Sequence, residues 1–232
     1  MAVQARAQIE AYIGATGSGK GVSIARRLAE LKPRRLLIWD PRAEYGKHAR
    51  QVSMSEAVKI VGTSNGGPFT LRVVPDGKVA LSDVFALLCK LAFRVGDMVF
   101  LAEELSDVTK ASWAPPAWRQ CITQGRHQGL HLIGATQRPA LIDKTFLSAA
   151  TVVRCFMLGY HDDCKTMGKE LRVPEAAIEL LATVEDETKR PTRTTIMYLE
   201  RVRRTRELFA GRIVVQGHRF DEEKRTYEVG AT

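Results

Sequence analysis

The chain has 232 residues and a formal charge of +9, with 45% hydrophobic and 26% charged residues. This length accommodates one sizeable α/β core and leaves little room for a second domain; the composition excludes general disorder, and no apolar run reaches the roughly 18 residues of a membrane span. The basic surplus, with a pI of about 9.6, points to a polyanionic partner, nucleic acid first, with a merely basic surface as the plain alternative.

Residues 9–13 form a short apolar run that stops at glycine and reads as a strand. Polar and charged groups at Gln4, Arg6, Gln8 and Glu10 deny the N-terminus a signal-peptide core. Val22, Ala25, Leu28 and Ala29 recur at helical spacing and predict a helix that ends near Pro33. Residues 36–39 read as a second buried strand, stopped by Asp40-Pro41, and residues 69–73 as a strand near an edge. Ser82 is positioned to cap a helix running to about Val95, with Asp83 early and Lys90 and Arg94 late, as the helix dipole favours. Residues 98–102 predict a third buried strand, Pro115-Pro116 opens a helix to about Thr123, and residues 130–135 and 151–158 predict the fourth and fifth strands. Strands alternating with helices argue for a mainly parallel sheet covered on both faces. From about Arg212 the chain is polar and mixed in charge, and a loosely ordered tail is expected over 212–232. Cysteines at 89, 121, 155 and 164 include no Cys-x-x-Cys pair, so they read as small buried hydrophobes of a reducing cytosol.

The most informative stretch is Gly14-Ala15-Thr16-Gly17-Ser18-Gly19-Lys20, which follows a predicted strand and opens a predicted helix. Glycines let the backbone wrap a phosphate, the N–H groups of the loop and of the helix start (Gly21, Val22) face the anion, and Lys20 reaches the β- and γ-phosphates. A P-loop ATPase domain is therefore expected over residues 1–211, with ATP and Mg²⁺ as ligands. The pattern calls for Ser or Thr after the lysine to hold Mg²⁺; here that residue is Gly21, and Ser23 stands two positions too far along. Glu103 and Glu104 end a buried strand, where carboxylates are costly unless they work. Glu103 is expected to hold Mg²⁺, directly or through water, and Glu104 to polarise the attacking water. The plain alternative is a strand running into an acidic turn. Gln137, at the end of the 130–135 strand, is expected to sense the γ-phosphate or the water, or else to cap nearby backbone. Arg126 and Arg138 are both candidates for an arginine supplied to a neighbouring subunit's site, against the plain reading of surface arginines. His127 and His131 lack the pattern of a zinc pair. Trp113 to Trp118 could stack on bases or form a packed loop, and Arg201, Arg203, Arg204 and Arg206, interleaved with acids, suit phosphates or a solvated face equally.

Together these motifs resemble the FtsK–HerA superfamily of DNA-translocating ATPases. Asp40-Pro41 with Glu44-Tyr45 is similar to the D-P-x-x-E-Y stretch of the HerA branch; residues 100–104 resemble the Walker B strand, with Glu103 where the family usually has Asp; Ala135-Thr136-Gln137-Arg138-Pro139 resembles the sensor strand, and 147–151 with Arg154 the segment after it. The resemblance covers about residues 9–165 and implies a RecA-like P-loop fold. With the loop starting at residue 14, no N-terminal barrel or membrane anchor is expected, an architecture similar to the genome-packaging ATPases of tailless icosahedral viruses with an internal membrane. It implies a homo-oligomeric ring of five or six subunits, at a capsid vertex or in the host cytoplasm, acting on double-stranded DNA. A filamentous-phage export ATPase, a HerA-like cellular translocase and a small-molecule P-loop kinase are the alternatives.

Overall fold

Short runs of Val, Ile, Leu and aromatic residues, apolar on both sides, suit strands with both faces covered. A computed structural model describes residues 8–228 and joins eleven strands in one sheet. Seven are parallel: β1 (Ile9–Ile13), β2 (Arg35–Trp39), β3 (Arg50–Val52), β4 (Phe69–Val73), β5 (Met98–Ala102), β6 (Leu130–Thr136) and β7 (Val152–Cys155). They lie in the order β7-β1-β6-β5-β2-β4-β3. Four antiparallel strands extend this sheet: β8 (Thr183–Asp186), β9 (Arg193–Val202), β10 (Glu207–Gln216) and β11 (Arg219–Thr226). β9 pairs with β7 only through Leu199–Val202, so Arg193–Tyr198 overhangs the carboxyl end of β7, and β8 takes up the free edge there.

The helices are α1 (Lys20–Leu31), α2 (Met54–Thr63), α3 (Leu81–Val95), α4 (Pro116–Gln124), α5 (Lys144–Ala149), α6 (His161–Leu171) and α7 (Glu175–Glu179). They cover both faces, unequally. Strand residues of one parity, such as Leu37, Trp39, Phe100 and Leu132, pack with α2 to α7. Those of the other parity, such as Ile38, Leu101 and Ile133, pack with Ile24 and Leu28 of α1 and with Ile196, Tyr198 and Ile213 of the antiparallel extension. Trp118 stands at the centre of the larger cluster, 5.4 Å from Phe85 and 5.6 Å from Phe146 between ring centroids. The four cysteines are buried and free.

Two expectations change. Ser82 is not the cap of α3: the helix starts at Leu81, Ala80 is its N-cap, and no side chain caps it. The stretch from Arg212 to Thr226 is not a loose tail, because it finishes β10 and forms β11. β11 is a polar edge strand with no apolar alternation to mark it, and its antiparallel pairing with the preceding β10 is what orders it. The boundary at 212 thus falls inside a strand. α2 went unread although Ser53 and Glu56 form a capping box, each side chain bonded to the other's backbone N–H.

Gly134, in the middle of β6, is where the aromatic cluster reaches the sheet: a Cβ there would stand 2.2 Å from Phe146 Cζ. Gly134→Ala should cost about 1–3 kcal/mol by overpacking and lower the melting temperature accordingly. Adding Phe146→Leu should recover part of that loss, so the double variant should be more stable than the sum of the single effects. Thermal unfolding of the four proteins checks this.

Candidate nucleotide site

The carboxyl ends of parallel strands are where an open α/β sheet leaves its binding crevice. β1 leaves the sheet there at Gly14, and the loop is tied to both neighbouring strands. Gly14 N–H donates to Thr136 O (3.1 Å) and Ala15 N–H to Met157 O (2.9 Å). Two glycines take left-handed conformations, Gly17 at φ 74° and Gly19 at φ 93°. At Gly14 the limit is space, since a Cβ would approach Ser18 Oγ to 2.4 Å. α1 then begins at Lys20 with no side-chain cap, so its first amides are left to face an anion. The loop opens on a cleft of about 380 Å³ lined also by Glu44, Gln137 and Ile196.

Lys20 is buried and its Nζ donates to Glu103 Oε1. Glu103 Oε2 accepts from the Tyr45 hydroxyl at 3.2 Å. Burial pushes the Glu103 pKa above the ordinary 4.5, against the pull of Lys20. Tyr45 is held in turn by Asp40, fully buried, which accepts from the N–H groups of Glu44 (2.9 Å) and Tyr45 (3.0 Å) and from Arg72 (2.8 Å). The Asp read in sequence mainly as a strand stop is thus the anchor of a turn that reaches the phosphate loop.

Glu104 has a left-handed backbone, φ 47°, an uncommon state for a residue with a side chain. Its Oε1 accepts from Ser106 Oγ (2.5 Å), Thr136 Oγ1 (3.2 Å) and Gln137 N–H (3.3 Å). Gln137 Oε1 accepts from Thr16 Oγ1 at 2.8 Å. One polar chain therefore runs from the phosphate loop through the end of β6 to the end of β5. Thr16, Lys20, Glu103, Glu104 and Gln137 come together at this edge.

Other expected residues do not join them. Arg126 is exposed just before β6, at the amino edge of the sheet, roughly 20 Å of strand from the phosphate loop at about 3.3 Å per residue. Arg138 stands beside Gln137, but its Nε donates to buried Asp163 (2.8 Å) and its guanidinium lies 3.9 Å from the Tyr160 ring. The Ser23 hydroxyl accepts from Arg154 (2.8 Å), so its contact lies on β7. Of the two tryptophans, Trp118 is core and Trp113 is exposed. Arg203 pairs with Glu170, while Arg204 and Arg206 are exposed in the β9–β10 turn. His131 is buried against Glu10 (2.8 Å); burial would raise the Glu10 pKa, but the hydrogen bonds and charges of His131 and Arg27 hold it at about 2. Glu10 and Arg27 line a larger cleft behind α1, about 540 Å³, whose charges largely neutralise one another.

The overhang of β9 went unread. Ile196 covers the phosphate loop so closely that a Cβ on Gly19 would lie 2.6 Å from it; Thr194 and Val215 extend this wall. Residues 194–198 carry an alternation that marks a strand, but nothing local to them says which loop they cover.

An Mg²⁺·nucleotide fits the donor set: hard carboxylate oxygens at Glu103 and Glu44 beside the phosphate loop are the ligands that ion takes together with phosphate oxygens and water.

Removing one partner of a buried ion pair costs about 3–5 kcal/mol, so Lys20→Met should be markedly destabilised, and it should lose affinity for a fluorescent ATP analogue. The deficit should depend on pH. Without Lys20 the folded pKa of Glu103 rises further above 4.5. Below 4.5 both folded and unfolded chains hold the proton and ionisation contributes nothing; as pH climbs from 4.5 to the raised folded value, only the unfolded chain releases it and stability falls, then levels. Melting temperatures of wild type and variant across pH check the widening gap.

No family model matches the chain. Protein P9 of Pseudoalteromonas phage PM2 is 32% identical over 178 residues, spanning 74% of this chain and 78% of P9. The genome packaging NTPase B204 from Sulfolobus turreted icosahedral virus 2, in complex with ATP-gammaS, superposes with a TM-score of 0.64 at 18% identity, covering 89% of this chain and 97% of B204. The DNA-packaging ATPase B204 from Sulfolobus Turreted Icosahedral Virus gives a TM-score of 0.58 at 19% identity, covering 87% and 95%. Likeness at these identities establishes a shared fold, that of a P-loop NTPase with a mostly parallel sheet.

Proposed function

The chain belongs to the family of protein P9 of Pseudoalteromonas phage PM2, and on that footing we propose that it is a P-loop ATPase of the FtsK–HerA type, an ATP-driven motor that packages double-stranded DNA into a preformed viral capsid. The observation that carries this reading is the polar chain from Thr16 through Gln137 to Glu104. A motor must convert the state of the γ-phosphate into movement of a strand, and here the loop that would cradle that phosphate is bonded to the end of β6. B204, a genome packaging NTPase of the same fold, supports the reading by analogy.

In this mechanism Gly14 to Val22 wrap the phosphates, and Lys20 exchanges Glu103 for the β- and γ-phosphate charge. Glu103, so released, would hold Mg²⁺, which when bound would supply charge neutralisation at the phosphoryl oxygens. Glu104 orients the attacking water and accepts its proton, positioned by Thr136 and the Gln137 amide. Loss of the γ-phosphate lets Gln137 rebond Thr16, and β6 relays the change. Arg126 acts in trans, from a neighbour whose amino sheet edge faces this cleft, in a ring of five or six subunits. The exposed Arg204 and Arg206 lie at that same amino edge and suit phosphate contacts. Capsid vertex proteins are the further partners, in the host cytoplasm and at the packaging vertex. No helix among the described residues is long and apolar enough to cross a membrane.

Duplex DNA should stimulate ATP hydrolysis, and its binding should be sequence-tolerant and salt-sensitive, each neutralised phosphate adding about −0.9 to the slope of log affinity against log salt. Titrating two unrelated duplexes at several salt concentrations tests this; a flat response or a strong preference for one duplex would leave a small-molecule kinase as the better reading.

The arginine assignment has its own test. Arg126→Ala and Glu104→Gln should each bind ATP and hydrolyse it poorly, since a trans arginine is worth roughly 10³–10⁵ in rate. Mixed in one ring, some interfaces pair an intact Arg126 with an intact Glu104, and activity should partly return. No recovery in rings shown to be mixed, with recovery for Arg138→Ala instead, would move the role to Arg138.

A further inference from the structure

The nucleotide site lacks the hydroxyl that normally follows the loop lysine, and the other hydroxyls of the phosphate loop and of the first turn of α1 are engaged or enclosed. Thr16 Oγ1 is bonded to Gln137, Ser23 Oγ to Arg154, and Ser18 Oγ is enclosed beneath the loop beside Gly14. Space is not the reason for Gly21: an added Cβ there would meet nothing within 4 Å. A site built for Mg²⁺ must find the missing oxygen elsewhere, because the ion demands a near-complete octahedron of hard oxygens and commonly takes one or two carboxylates with the substrate phosphates.

The acids at this edge differ in how free they are. Asp40 is spent on Arg72 and two amides, Glu103 on Lys20 and Tyr45, Glu104 on Ser106, Thr136 and Gln137. Glu44 is exposed, lines the same cleft as Lys20 and Gly21, and its carboxylate has no hydrogen-bond or ion-pair partner among the described residues. It is held there by its own N–H on Asp40, and the next residue, Tyr45, bonds Glu103. The turn therefore ties Glu44 to the proposed metal carboxylate, near enough for the two charges to act on each other.

We propose that Glu44 supplies the metal ligand that Gly21 lacks, directly or through a bound water, so that Mg²⁺ is held by two carboxylates from the ends of β2 and β5 instead of one carboxylate and a loop hydroxyl. This rests on the nucleotide-binding reading above and adds a residue to it. It also accounts for the tolerance of glycine after Lys20, since the ligand has moved from the helix to the turn.

The test separates the metal from the nucleotide. Binding of a fluorescent ATP analogue is measured without Mg²⁺, then during Mg²⁺ titration, for wild type, Glu44→Gln, Glu185→Gln and the double variant Glu44→Gln/Gly21→Thr. Without Mg²⁺, Glu44→Gln should bind the analogue at least as well as wild type. Its requirement for Mg²⁺ should rise about 10–100-fold, the usual cost of losing a group that supports a metal. Gly21→Thr should reverse most of that rise, which it would not do if Glu44 merely shaped the turn. An unchanged Mg²⁺ requirement in Glu44→Gln overturns the proposal, as does failure of Gly21→Thr to rescue. So does loss of turnover with the Mg²⁺ requirement intact, which would make Glu44 a water-activating group. A raised requirement in Glu185→Gln alone would place the ligand on β8 and overturn it too. If wild type itself binds no analogue, the nucleotide reading fails, and the proposal with it.

Discussion

Lys20 and Glu103 are opposite charges buried together at the point where the first turn of α1 meets the end of β5. Neither tolerates burial alone, so each fixes the other's position. Around them the sequence supplies what such a pair needs: Tyr45 on the second carboxylate oxygen, Asp40 and Arg72 behind Tyr45, and a glycine-rich loop that brings the lysine in. The pair is also one that a phosphate can break without leaving a bare charge. In the proposed mechanism a phosphate becomes the new partner of Lys20 and a cation that of Glu103.

The second constraint is the length of β9. A ten-residue strand beside a four-residue strand must run past it. Because β7 ends at the phosphate loop, the overhang falls on the loop, and Ile196 becomes its cover. The antiparallel extension thus closes the α1 face of the sheet, where only one helix packs among the described residues, and walls the nucleotide cleft. Fold and site share the same atoms here, which ties the stability of the C-terminal strands to the shape of the cleft.

Much of the parallel half was legible from residues alone. Buried strands such as 98–102 announce themselves by unbroken apolar runs, and the phosphate loop by glycine spacing, because both depend on local backbone chemistry. Glu103, Glu104 and Gln137 could be placed at the carboxyl edge from their positions after such runs. The antiparallel half was not legible. Residues 219–226 read Arg-Phe-Asp-Glu-Glu-Lys-Arg-Thr, a polar string in any local window, and become a strand only because β10 offers a partner. The helix at 54–63 was legible through Ser53 and Glu56, yet went unread.

By itself, then, the sequence determined the phosphate loop, the strands that carry it and the residue types offered to a nucleotide, since these follow from backbone freedom, apolar pattern and charge along short stretches. Tertiary structure alone decided the partners: that Lys20 rests on Glu103, that Thr16 bonds Gln137, that Arg126 sits at the far edge of the sheet and Glu44 at the near one. Those relations join residues up to 121 positions apart, and no local window contains them. They arise from strand order and from the need of every buried charge to find a counterpart, which the folded chain satisfies as a whole.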